Sequence, residues 1–369
     1  MILINGRFLL QNITGVQRVA RELLMQLDIL ASQGRIEAPK VVMPAQGQMV
    51  SPPHLRACSL HRTGRFTGHL WEQFDLPRIV RGQTVLCLGN TAPVASLLVR
   101  NTRVVTMVHD LSYRYFPSAY SWQFRTFYSA LMPLVLRKSD GIVTVSETEK
   151  KAIARHYPHL KGAAHFHAAA NGGLPDDIAL KIADAEQPGP DARGYGLYLG
   201  SLSKRKNAHG VLQAAIRFLE THPEMRFVII GAGSSVFEGF DIRIPETVKN
   251  RLELRGQVDD PGEIHKALAS ARFLLFPSFY ESSGLPPIEA MSFGCPVIAS
   301  DIPSLRERCG EGALYCDPHA PDTIYDAIDR VMADTQLWAQ KSAAGRERAR
   351  KFTWRRQAEA VLQICEGLA

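Results

Sequence analysis

Residues 276–301 decide the fold and read Phe-Pro-Ser-Phe-Tyr-Glu-Ser-Ser-Gly-Leu-Pro-Pro-Ile-Glu-Ala-Met-Ser-Phe-Gly-Cys-Pro-Val-Ile-Ala-Ser-Asp. The order of apolar runs and breakers predicts a strand, a tight loop, a short helix over 287–293 and a second strand. Proline suits the start of that helix because its φ is fixed and the first helical N–H groups lack partners anyway. Gly294 suits the helix end.

Two carboxylates flank the loop of this unit. Glu281 lies at the start of the loop and Glu289 in the first turns of the helix, with seven residues between them. Between the acids, Ser282, Ser283 and Gly284 leave backbone N–H groups at a helix N-terminus, which is an anion site by geometry and dipole. Carboxylates on both sides of a phosphate can accept hydrogen bonds from the ribose and hexose hydroxyls of a nucleotide-sugar. An acid near a helix start can also simply complement the dipole, and for Glu289 alone that role stays open.

Glu281-x7-Glu289, followed by Ala-Met-Ser-x-Gly-x-Pro-Val-Ile-Ala-Ser, resembles the signature of the family 4 glycosyltransferases, which are retaining enzymes of the GT-B fold. Other matching pieces occur in the expected order along nearly the whole chain: Thr-Gly-Val-Gln-Arg at 14–18, Val-His-Asp-Leu at 108–111, Val-Ser-Glu at 145–147, Gly-Ser-Leu-Ser-Lys-Arg-Lys-Asn at 200–207 and Phe-Thr-Trp at 352–354. The resemblance implies an α/β protein of the GT-B fold, with two Rossmann-like βαβ domains that face each other across a deep cleft.

The bulk composition is that of a soluble globular chain. The 369 residues are 46% hydrophobic and 21% charged, which suggests two domains of ordinary size. No apolar run approaches the ~18–20 residues of a membrane span, and the first residues predict a strand rather than a signal peptide. The six cysteines are scattered without a Cys-x-x-Cys pair, so a reducing cytoplasm is expected rather than a disulfide framework or a zinc site.

The net charge of +7 is compatible with nucleic acid, anionic lipid or a phosphorylated substrate as partner. Nucleic acid is disfavoured because no long Lys/Arg block, zinc-finger spacing or RNA-binding aromatic motif is present. Residues 113–138 interleave aromatic and basic side chains, and residues 149–155 add more cations. Such a face fits peripheral contact with the anionic inner face of the cell membrane and a lipid-linked acceptor. The alternative is a core-facing aromatic stripe with a solvated basic edge.

Short β-branched runs alternate with amphipathic stretches, which predicts parallel sheets with helices on both faces. The expected strands, after a first one at the N-terminus, are 40–44, 84–88, 103–108, 141–145, 195–200, 226–231, 252–256, 272–277, 296–300 and 313–316. The expected helices are 15–30, 121–138, 147–156, 207–220, 261–270, 287–293, 302–308 and 320–350. A breaker cluster over 183–194 and the turn Asn171-Gly172-Gly173 indicate an acceptor-side domain, 1–170, and a nucleotide-sugar domain, 171–353. By the resemblance, a last helix at about 354–369 crosses back onto the first domain.

The basic segment 200–207 follows a strand and opens a helix that Asn207 can cap. Arg205 and Lys206 then lie where a leaving nucleoside diphosphate gains negative charge, and fixed cations stabilise that transition state more than the ground state. The resemblance likewise assigns both to the diphosphate, whereas Lys204 fits a solvated loop better. No Asp-x-Asp motif is present, so neither a metal nor a cofactor is expected.

Two segments of the first half carry further candidates. Gly15 precedes a helix and permits close approach of the backbone to a ligand, although helix capping by Thr14 is an alternative. The resemblance adds that this loop closes over the diphosphate and sugar. His109 ends a strand at the edge where α/β sites form, and the resemblance places it against the donor sugar. A satisfied core histidine is the alternative, while Asp110 either orients His109 or caps the next segment.

Three further site assignments concern residues in the second half of the chain. Gly231-Ala232-Gly233 begins a dinucleotide fingerprint whose third glycine is replaced by Val236, so a turn is expected first and a nucleotide contact second. By the resemblance, the backbone of Val258 meets the base and Glu289 binds the ribose. Glu281 binds the donor sugar, aided by the amides from Ser282 to Leu285.

The function expected from these features is retaining transfer of a hexose from a nucleoside-diphosphate sugar to a polysaccharide or lipid-linked acceptor in bacterial cell-surface glycan synthesis. The sequences at 14–18 and 108–111 resemble the corresponding segments of bacterial O-antigen mannosyltransferases. This resemblance favours GDP-mannose or a related GDP-sugar over a UDP-sugar as the donor. The alternatives are a nucleotide-sugar epimerase, an NAD-dependent oxidoreductase, against which the broken glycine fingerprint argues, and a non-catalytic nucleotide-sugar-binding subunit on the same fold.

Overall fold

The computed structural model describes residues 1–99, 101–183, 188–232 and 243–367. The chain divides into two compact units: an N-terminal unit of Met1–Gly172 with the segment from Trp354, and a C-terminal unit of Gly173–Thr353. In the N-terminal unit, Gln357 Nε2 of the last helix donates to Ala169 O at 3.0 Å and to Asn171 Oδ1 at 2.6 Å. These two bonds join the end of the chain to the end of the unit's first segment.

The N-terminal unit contains a seven-stranded parallel sheet in the order β3-β2-β1-β4-β5-β6-β7. Its strands are β1 Ile2–Asn5, β2 Lys40–Pro44, β3 Ser59–Thr63, β4 Thr84–Cys87, β5 Arg103–Met107, β6 Gly141–Thr144 and β7 Phe166–Ala168. Four of these, β2, β4, β5 and β6, lie where internal strands were expected, because they are buried apolar runs. The two edge strands were not predicted: β3 is polar and largely exposed, and β7 has three residues.

Helices cover this sheet. They are Gly15–Ser32, Trp122–Lys138, Glu147–His156, Trp354–Glu366 and the single turn Ser112–Tyr115. A further helical segment, called the bent helix below, is formed by Gly68–Leu70, a π-helical turn at Trp71–Asp75, and Leu76–Ile79. The sequence did not predict the bent helix. It is anchored by Trp71, whose fully buried indole donates to Thr63 O at 2.8 Å.

The aromatic–basic stretch divides between core and surface. Tyr113 and Tyr128 are buried in the core of the N-terminal unit, as the core-facing alternative expects. Trp122 is 70% exposed, and Phe124 and Phe127 are each 37% exposed. The core-facing interpretation therefore holds for Tyr113 and Tyr128, whereas contact of the exposed aromatic side chains with a membrane stays a prediction. Among the helices that the structure describes, none combines the length and the apolar character that crossing a bilayer requires.

The C-terminal unit contains a six-stranded sheet in the order β10-β9-β8-β11-β12-β13, again with parallel pairing throughout the described strands. Its strands are β8 Tyr195–Leu199, β9 Arg226–Ile230, β10 Leu252–Gly256, β11 Ala271–Phe276, β12 Val297–Ser300 and β13 Ala313–Cys316. All six were predicted to within a residue or so. The α/β prediction, with two parallel-sheet Rossmann-like units, is confirmed.

The helices of this unit are Asp176–Ala183, Ala208–Thr221, Glu246–Lys249, Pro261–Ser270, Leu285–Ser292, Pro303–Cys309, Pro321–Ala333 and Thr335–Ala349. The prediction of one helix over 320–350 is wrong. Asp334 adopts an extended backbone, φ −113° and ψ 99°, and its side chain accepts from Leu337 N at 2.9 Å. Asp334 therefore ends one helix and caps the next, which is a role that favours a short acidic side chain.

Candidate functional site

In each sheet the strand order reverses at one point, which we call the switch point. There, the chain leaves two neighbouring strands towards opposite sides of the sheet. In the C-terminal unit it lies at β8, which pairs with β9 on one side and β11 on the other. Ligands of α/β sheets bind outside the carboxyl ends of strands at such a point. The segments that leave β8 and β11 here are 200–207 and 277–284, the same segments in which the sequence concentrates its candidates.

Lys206, Arg205 and Glu281 form an ion cluster across these two segments. Lys206 Nζ donates to Glu281 Oε1, and Arg205 Nη1 lies 3.8 Å from Glu281 Oε2. Arg205 Nη1 also donates to Tyr280 O at 3.0 Å, and Phe279 N donates to Arg205 O at 3.0 Å. The side chains of Lys206 and Glu281 are 12% and 7% exposed, so solvent screens their attraction only weakly. The two cations predicted for the diphosphate are therefore held beside the acid predicted for the donor sugar.

Asn207 fixes the basic segment to the sheet. It adopts the left-handed conformation at φ 57°, and its Oδ1 accepts from Gly210 N at 3.1 Å, so the predicted helix cap is confirmed. Its Nδ2 donates to Pro277 O and Pro318 O, each at 3.1 Å. One buried side chain thus joins the end of the β8 loop to the start of the β11 loop and to the loop after β13, which anchors the segment that carries Arg205 and Lys206.

Gly284 sets the start of the helix that carries the second acid. It has φ 62°, and a Cβ there would lie 2.8 Å from Leu305 Cδ2, so both conformation and space require glycine. The helix begins at Leu285, two residues before the predicted start, with its prolines in the first turn as expected. It ends before Gly294, whose φ of 63° matches the predicted stop.

Glu289 lies in the second turn of this helix and is 1% exposed. Dipole effects act mainly within the first turn, so complementing the dipole is the weaker explanation for this acid. Buried Arg308 is close enough to interact with it. Burial lowers the pKa of Arg308 to about 9, and the Glu289 carboxylate opposes that shift. The guanidinium carbon of Arg308 also lies 4.2 Å from the centroid of the Phe352 ring.

The remaining C-terminal candidates lie at the ends of β9 and β10. Gly231 has φ 155°, and its N–H donates to Gly256 O at 2.7 Å. A Cβ on Gly231 would lie 1.8 Å from Gly200 O, so close backbone packing requires the glycine and the expected turn role is confirmed. The continuation of that motif, Gly233 to Val236, lies outside the described residues. Val258 is half-buried in the loop after β10 and packs against the unit's core.

His109 lies at the carboxyl edge of the N-terminal sheet and is 4% exposed. Its backbone N–H donates to Asn90 Oδ1 at 2.6 Å, and its Nε2 lies 2.9 Å from Leu88 O. A carbonyl only accepts, so Nε2 carries the proton. Burial lowers the pKa of His109, which keeps the ring neutral at pH 7 with an unprotonated Nδ1. Asp110 accepts from Ser112 N at 2.8 Å, a contact to the next segment that fits the predicted capping role.

Gly15 is the first residue of helix Gly15–Ser32. No described heavy atom lies within 4 Å of the position of a Cβ built there. The helix start is instead organised by Thr14 and Gln17, because Gln17 Oε1 accepts from Thr14 N at 3.3 Å. Packing within the unit therefore gives no reason for glycine at position 15.

Sequence reasoning missed a buried polar network beside His109. The Glu72 carboxylate is 1% exposed, and its Oε1 accepts from Asn5 Nδ2 at 2.7 Å and from Thr91 Oγ1 at 2.8 Å, with Arg7 Nε at 3.5 Å. Burial alone would raise the pKa of Glu72, but the Arg7 charge and the hydrogen bonds from His69 and Thr91 lower it overall. The three segments involved are far apart in sequence, so no local motif could have revealed the network.

Comparison with known families gives two matches that together cover most of the chain. Residues 13–165 match the model described as Glycosyltransferase Family 4, and residues 182–352 match the model described as Glycosyl transferases group 1. The two matches correspond closely to the two structural units.

Curated relatives include O-antigen enzymes. The chain is 30% identical over 260 residues to O-antigen chain mannosyltransferase B of Escherichia coli, covering 69% of this chain and 68% of that protein. It is 24% identical over 234 residues to O-antigen chain mannosyltransferase RfbU of Salmonella typhimurium, covering 63% and 62%. The matched segments thus span about two thirds of these relatives. A D-inositol 3-phosphate glycosyltransferase of Corynebacterium jeikeium is also similar, at 27% identity over 46% of this chain and 43% of that protein.

Solved structures match the fold over its full length. WaaG, described as a glycosyltransferase involved in lipopolysaccharide biosynthesis, has a TM-score of 0.71 at 15% identity and covers 100% of both chains. Sucrose-phosphate synthase from Thermosynechococcus elongatus has a TM-score of 0.74 at 20% identity, covering 100% of this chain and 98% of that one. At these identities the similarity establishes the architecture alone.

Proposed function

The chain belongs to the family 4 glycosyltransferases of the GT-B fold, and from that premise we propose that it is a retaining hexosyltransferase using a nucleoside-diphosphate sugar. The proposed acceptor is a polysaccharide or a lipid-linked saccharide of the bacterial cell surface. The observation that carries the proposal is the cluster of Lys206, Arg205 and Glu281 at the switch point of the C-terminal sheet.

The cluster suits a reaction in which a diphosphate departs. As the bond between the sugar and the phosphate breaks, negative charge accumulates on the phosphate oxygens, and fixed cations stabilise that charge most at the transition state. We assign Arg205 and Lys206 to this role. Glu281 holds both cations in place and, with the amides of Ser282 to Leu285, binds hydroxyls of the donor sugar. Because the side-chain cations meet the phosphate charge, the proposal includes no metal.

The other candidates complete the donor site in this proposal. Glu289 binds the ribose hydroxyls, the backbone of Val258 meets the base, and Gly15 lets the backbone approach the diphosphate. His109 accepts a hydrogen bond from a sugar hydroxyl at Nδ1. No described side chain is assigned as a nucleophile. The acceptor oxygen instead attacks the anomeric carbon from the face that the phosphate leaves, and the departing phosphate oxygen takes the acceptor's proton.

For the donor we favour GDP-mannose or a related GDP-sugar. The similarity to two O-antigen mannosyltransferases supports this preference, as do the sequence variants around Gly15 and His109. UDP-sugars are the competing class, because a structural neighbour, HepE of Anabaena, is described in complex with UDP and glucose. The relatives also include a glycogen synthase, so acceptors of several kinds occur among similar proteins.

We place the enzyme in the cytoplasm, at the inner face of the cell membrane. Trp122, Phe124, Phe127 and Leu134 expose apolar surface on one helix, and that helix also exposes Arg125, Arg137 and Lys138. Aromatic side chains beside cations favour the interface of an anionic bilayer. Contact there would bring the N-terminal unit to a lipid-linked acceptor.

The decisive experiment combines binding with product analysis. Thermal-shift measurements compare GDP, UDP, ADP and their sugars, because a ligand stabilises the state that binds it. The stabilising nucleotide-sugar is then incubated with octyl glycosides as acceptors, and NMR determines the anomeric configuration of the product. We expect stabilisation by GDP and GDP-mannose and an axial product linkage. Inversion, or conversion of the nucleotide-sugar to an epimer without acceptor, would contradict the proposal.

A further inference from the structure

The bent helix is fixed to the loop after β4 by two adjacent side chains. Glu72 accepts from Thr91 Oγ1 at 2.8 Å, and Gln73 Nε2 donates to Ala92 O at 3.0 Å. Both residues lie in the π-helical turn, an irregularity that often occurs at functional sites. The loop follows β4, which pairs with β1 at the switch point of the N-terminal sheet. The first part of the bent helix, which carries Glu72 and Gln73, therefore lies near the carboxyl edge of that sheet.

Glu72 determines the tautomer of His69, one turn before it. Glu72 is buried beside the Arg7 guanidinium, which favours the ionised carboxylate, and a carboxylate can only accept hydrogen bonds. His69 Nδ1 lies 3.3 Å from Glu72 Oε2 and must therefore carry the proton. In the neutral form of the ring, Nε2 then presents a lone pair. The side chain of His69 is 41% exposed, and its Nε2 has no hydrogen-bond partner in the part of the chain that the structure describes.

One aromatic ring contacts His69, and further apolar side chains are exposed on the same bent helix. The ring of Phe127 lies 4.7 Å from that of His69, centroid to centroid, and is 37% exposed. Leu70 and Phe74 are 57% and 52% exposed on the same bent helix. A sugar presents hydroxyl donors at its rim and C–H groups on its faces. A single oriented acceptor among aromatic and aliphatic side chains matches that distribution of donors and apolar surface.

The same loop connects His69 to His109. Leu88 O accepts from His109 Nε2, and Asn90 Oδ1 accepts from the backbone of His109. The next residue, Thr91, bonds to Glu72. One short loop thus positions the histidine that the proposed function sets against the donor sugar and the carboxylate that orients His69. The contacts that orient the two histidines therefore both include residues of this loop.

We infer that His69 binds a hydroxyl of the acceptor saccharide through Nε2, and that Glu72 positions it. The inference rests on the proposed function and adds a carbohydrate-binding residue on the acceptor-side unit. His69 contributes to acceptor affinity and choice of acceptor, while activation of the donor remains with the C-terminal unit. Loss of the Nε2 acceptor therefore weakens acceptor use and leaves donor binding intact.

The test compares ring replacement at His69 with the same change at a matched histidine. His69→Phe keeps a ring against Phe127 and removes both nitrogens, whereas His69→Gln offers an amide oxygen as a partial substitute. His156 is an exposed histidine whose ring lies 5.4 Å from that of Tyr115, so His156→Phe is the control. With octyl mannoside as acceptor, we expect His69→Phe to raise the acceptor KM about tenfold, the value of one hydrogen bond. His69→Gln should recover part of that loss.

Donor hydrolysis without acceptor separates this inference from the proposed function. The donor KM and the hydrolysis rate should be the same in wild type, His69→Phe and His156→Phe. An unchanged acceptor KM in His69→Phe, or an equal loss of donor hydrolysis, would overturn the assignment. If the wild type neither transfers nor hydrolyses any donor, the proposed function fails instead. In that case ¹⁵N NMR of the histidine side chains still decides the role of His69.

The NMR measurement observes the free protein, with the His69 signal assigned by its loss in His69→Phe. We expect an unprotonated Nε2 nitrogen whose chemical shift changes when octyl mannoside is added. A panel of octyl glucoside, galactoside and N-acetylglucosaminide extends the search to other sugars. A protonated Nε2, or a signal that none of these glycosides changes, would reject His69 as an acceptor-binding residue.

Discussion

The carboxyl edges of the two sheets carry different kinds of side chain. In the C-terminal unit, Arg205 and Lys206 are partly exposed, with side-chain exposures of 24% and 12%, and face one acid, Glu281. In the N-terminal unit, the side chains of Arg7 and Glu72 form a buried ion pair and are 8% and 1% exposed. A partly exposed cation pair that an acid holds in place can also contact a phosphate, whereas a buried ion pair serves to hold other groups in place.

In the proposed function, this difference in exposed charge gives the two structurally similar units separate tasks. Both units use a parallel sheet with a switch point, so the fold fixes only the place where a ligand binds. In the proposed function, the C-terminal loops supply charge for a departing diphosphate. The N-terminal loops present two histidines, His69 and His109, whose orientation is set by hydrogen bonds. The predictions below test whether charge and orientation are divided in this way.

The largest effect is expected for Lys206→Ala. Removing a cation that stabilises transition-state charge costs roughly a hundredfold to a thousandfold in kcat/KM. Binding of the nucleoside diphosphate should weaken together with transfer. Steady-state kinetics and calorimetry with the nucleoside diphosphate measure the two effects.

Lys204→Ala provides the matched control for that experiment. Lys204 is exposed two residues earlier in the same basic turn, so its removal changes the net charge equally. We expect its kinetics to stay within about twofold of the wild type, since isolated surface charges contribute little. Equal losses in both variants would show that general positive charge, rather than the position of Lys206, attracts the donor.

The second prediction concerns the side chain that fixes the basic segment. Asn207→Ala removes a helix cap and two bonds to carbonyls and leaves a non-glycine residue at φ 57°, so local stability should fall by about 2 kcal/mol, roughly thirtyfold in the opening equilibrium. Hydrogen exchange of the amides in helix Ala208–Thr221 measures that opening. Asn207→Gly tolerates the backbone conformation and should lose about half as much. Unchanged exchange in both variants would contradict the anchoring role.

The C-terminal unit was the more predictable of the two, for a physical reason. Its strands, β10 excepted, are largely buried runs. All its candidate residues except Val258 lie in two contiguous segments with glycine and proline at positions that demand them, such as Gly284 and Gly294. Local sequence therefore encodes both the element and its end. The exception, the division at Asp334, follows from one acidic side chain that caps a helix inside an otherwise continuous helical pattern.

The N-terminal unit shows what local patterns do not encode. The polar edge strand β3 exists because it pairs with β2, and the bent helix has too short a regular run to give a helical period. The Asn5–Glu72–Thr91 network joins three segments, so only the tertiary structure brings it together. His109 could be predicted from the end of its strand, whereas the partners that orient it could not.

The third prediction, with a smaller expected effect, compares alanine substitutions at two glycines, Gly15 and Gly284. Gly15→Ala meets no described atom within 4 Å, so helix stability should be unchanged or slightly improved. If a ligand approaches there, the added methyl should raise the donor KM about tenfold, or about 1.4 kcal/mol. Gly284→Ala should instead lower the thermal stability of the C-terminal unit as well, because its φ and Leu305 both oppose a side chain. A Gly15→Ala enzyme with wild-type kinetics would assign that helix start to capping alone.

The smallest expected effect concerns the outer surface of the N-terminal unit. Trp122→Ser removes a ring that is 70% exposed, and its loss should weaken binding to phosphatidylglycerol vesicles by about fivefold, or about 1 kcal/mol. Co-sedimentation measures the bound fraction, with phosphatidylcholine vesicles as the uncharged comparison.

Leu254→Ser is the control for the membrane experiment, because Leu254 exposes apolar surface on the C-terminal unit, with 42% of the residue accessible. Binding that falls equally in both variants would reflect general surface hydrophobicity. Selective loss in Trp122→Ser, seen only with anionic vesicles, would locate the lipid-facing surface on the unit that we assign to the acceptor. Equal recovery of the wild type in the supernatants of both vesicle types would remove the membrane from the proposal and leave a soluble saccharide as the acceptor.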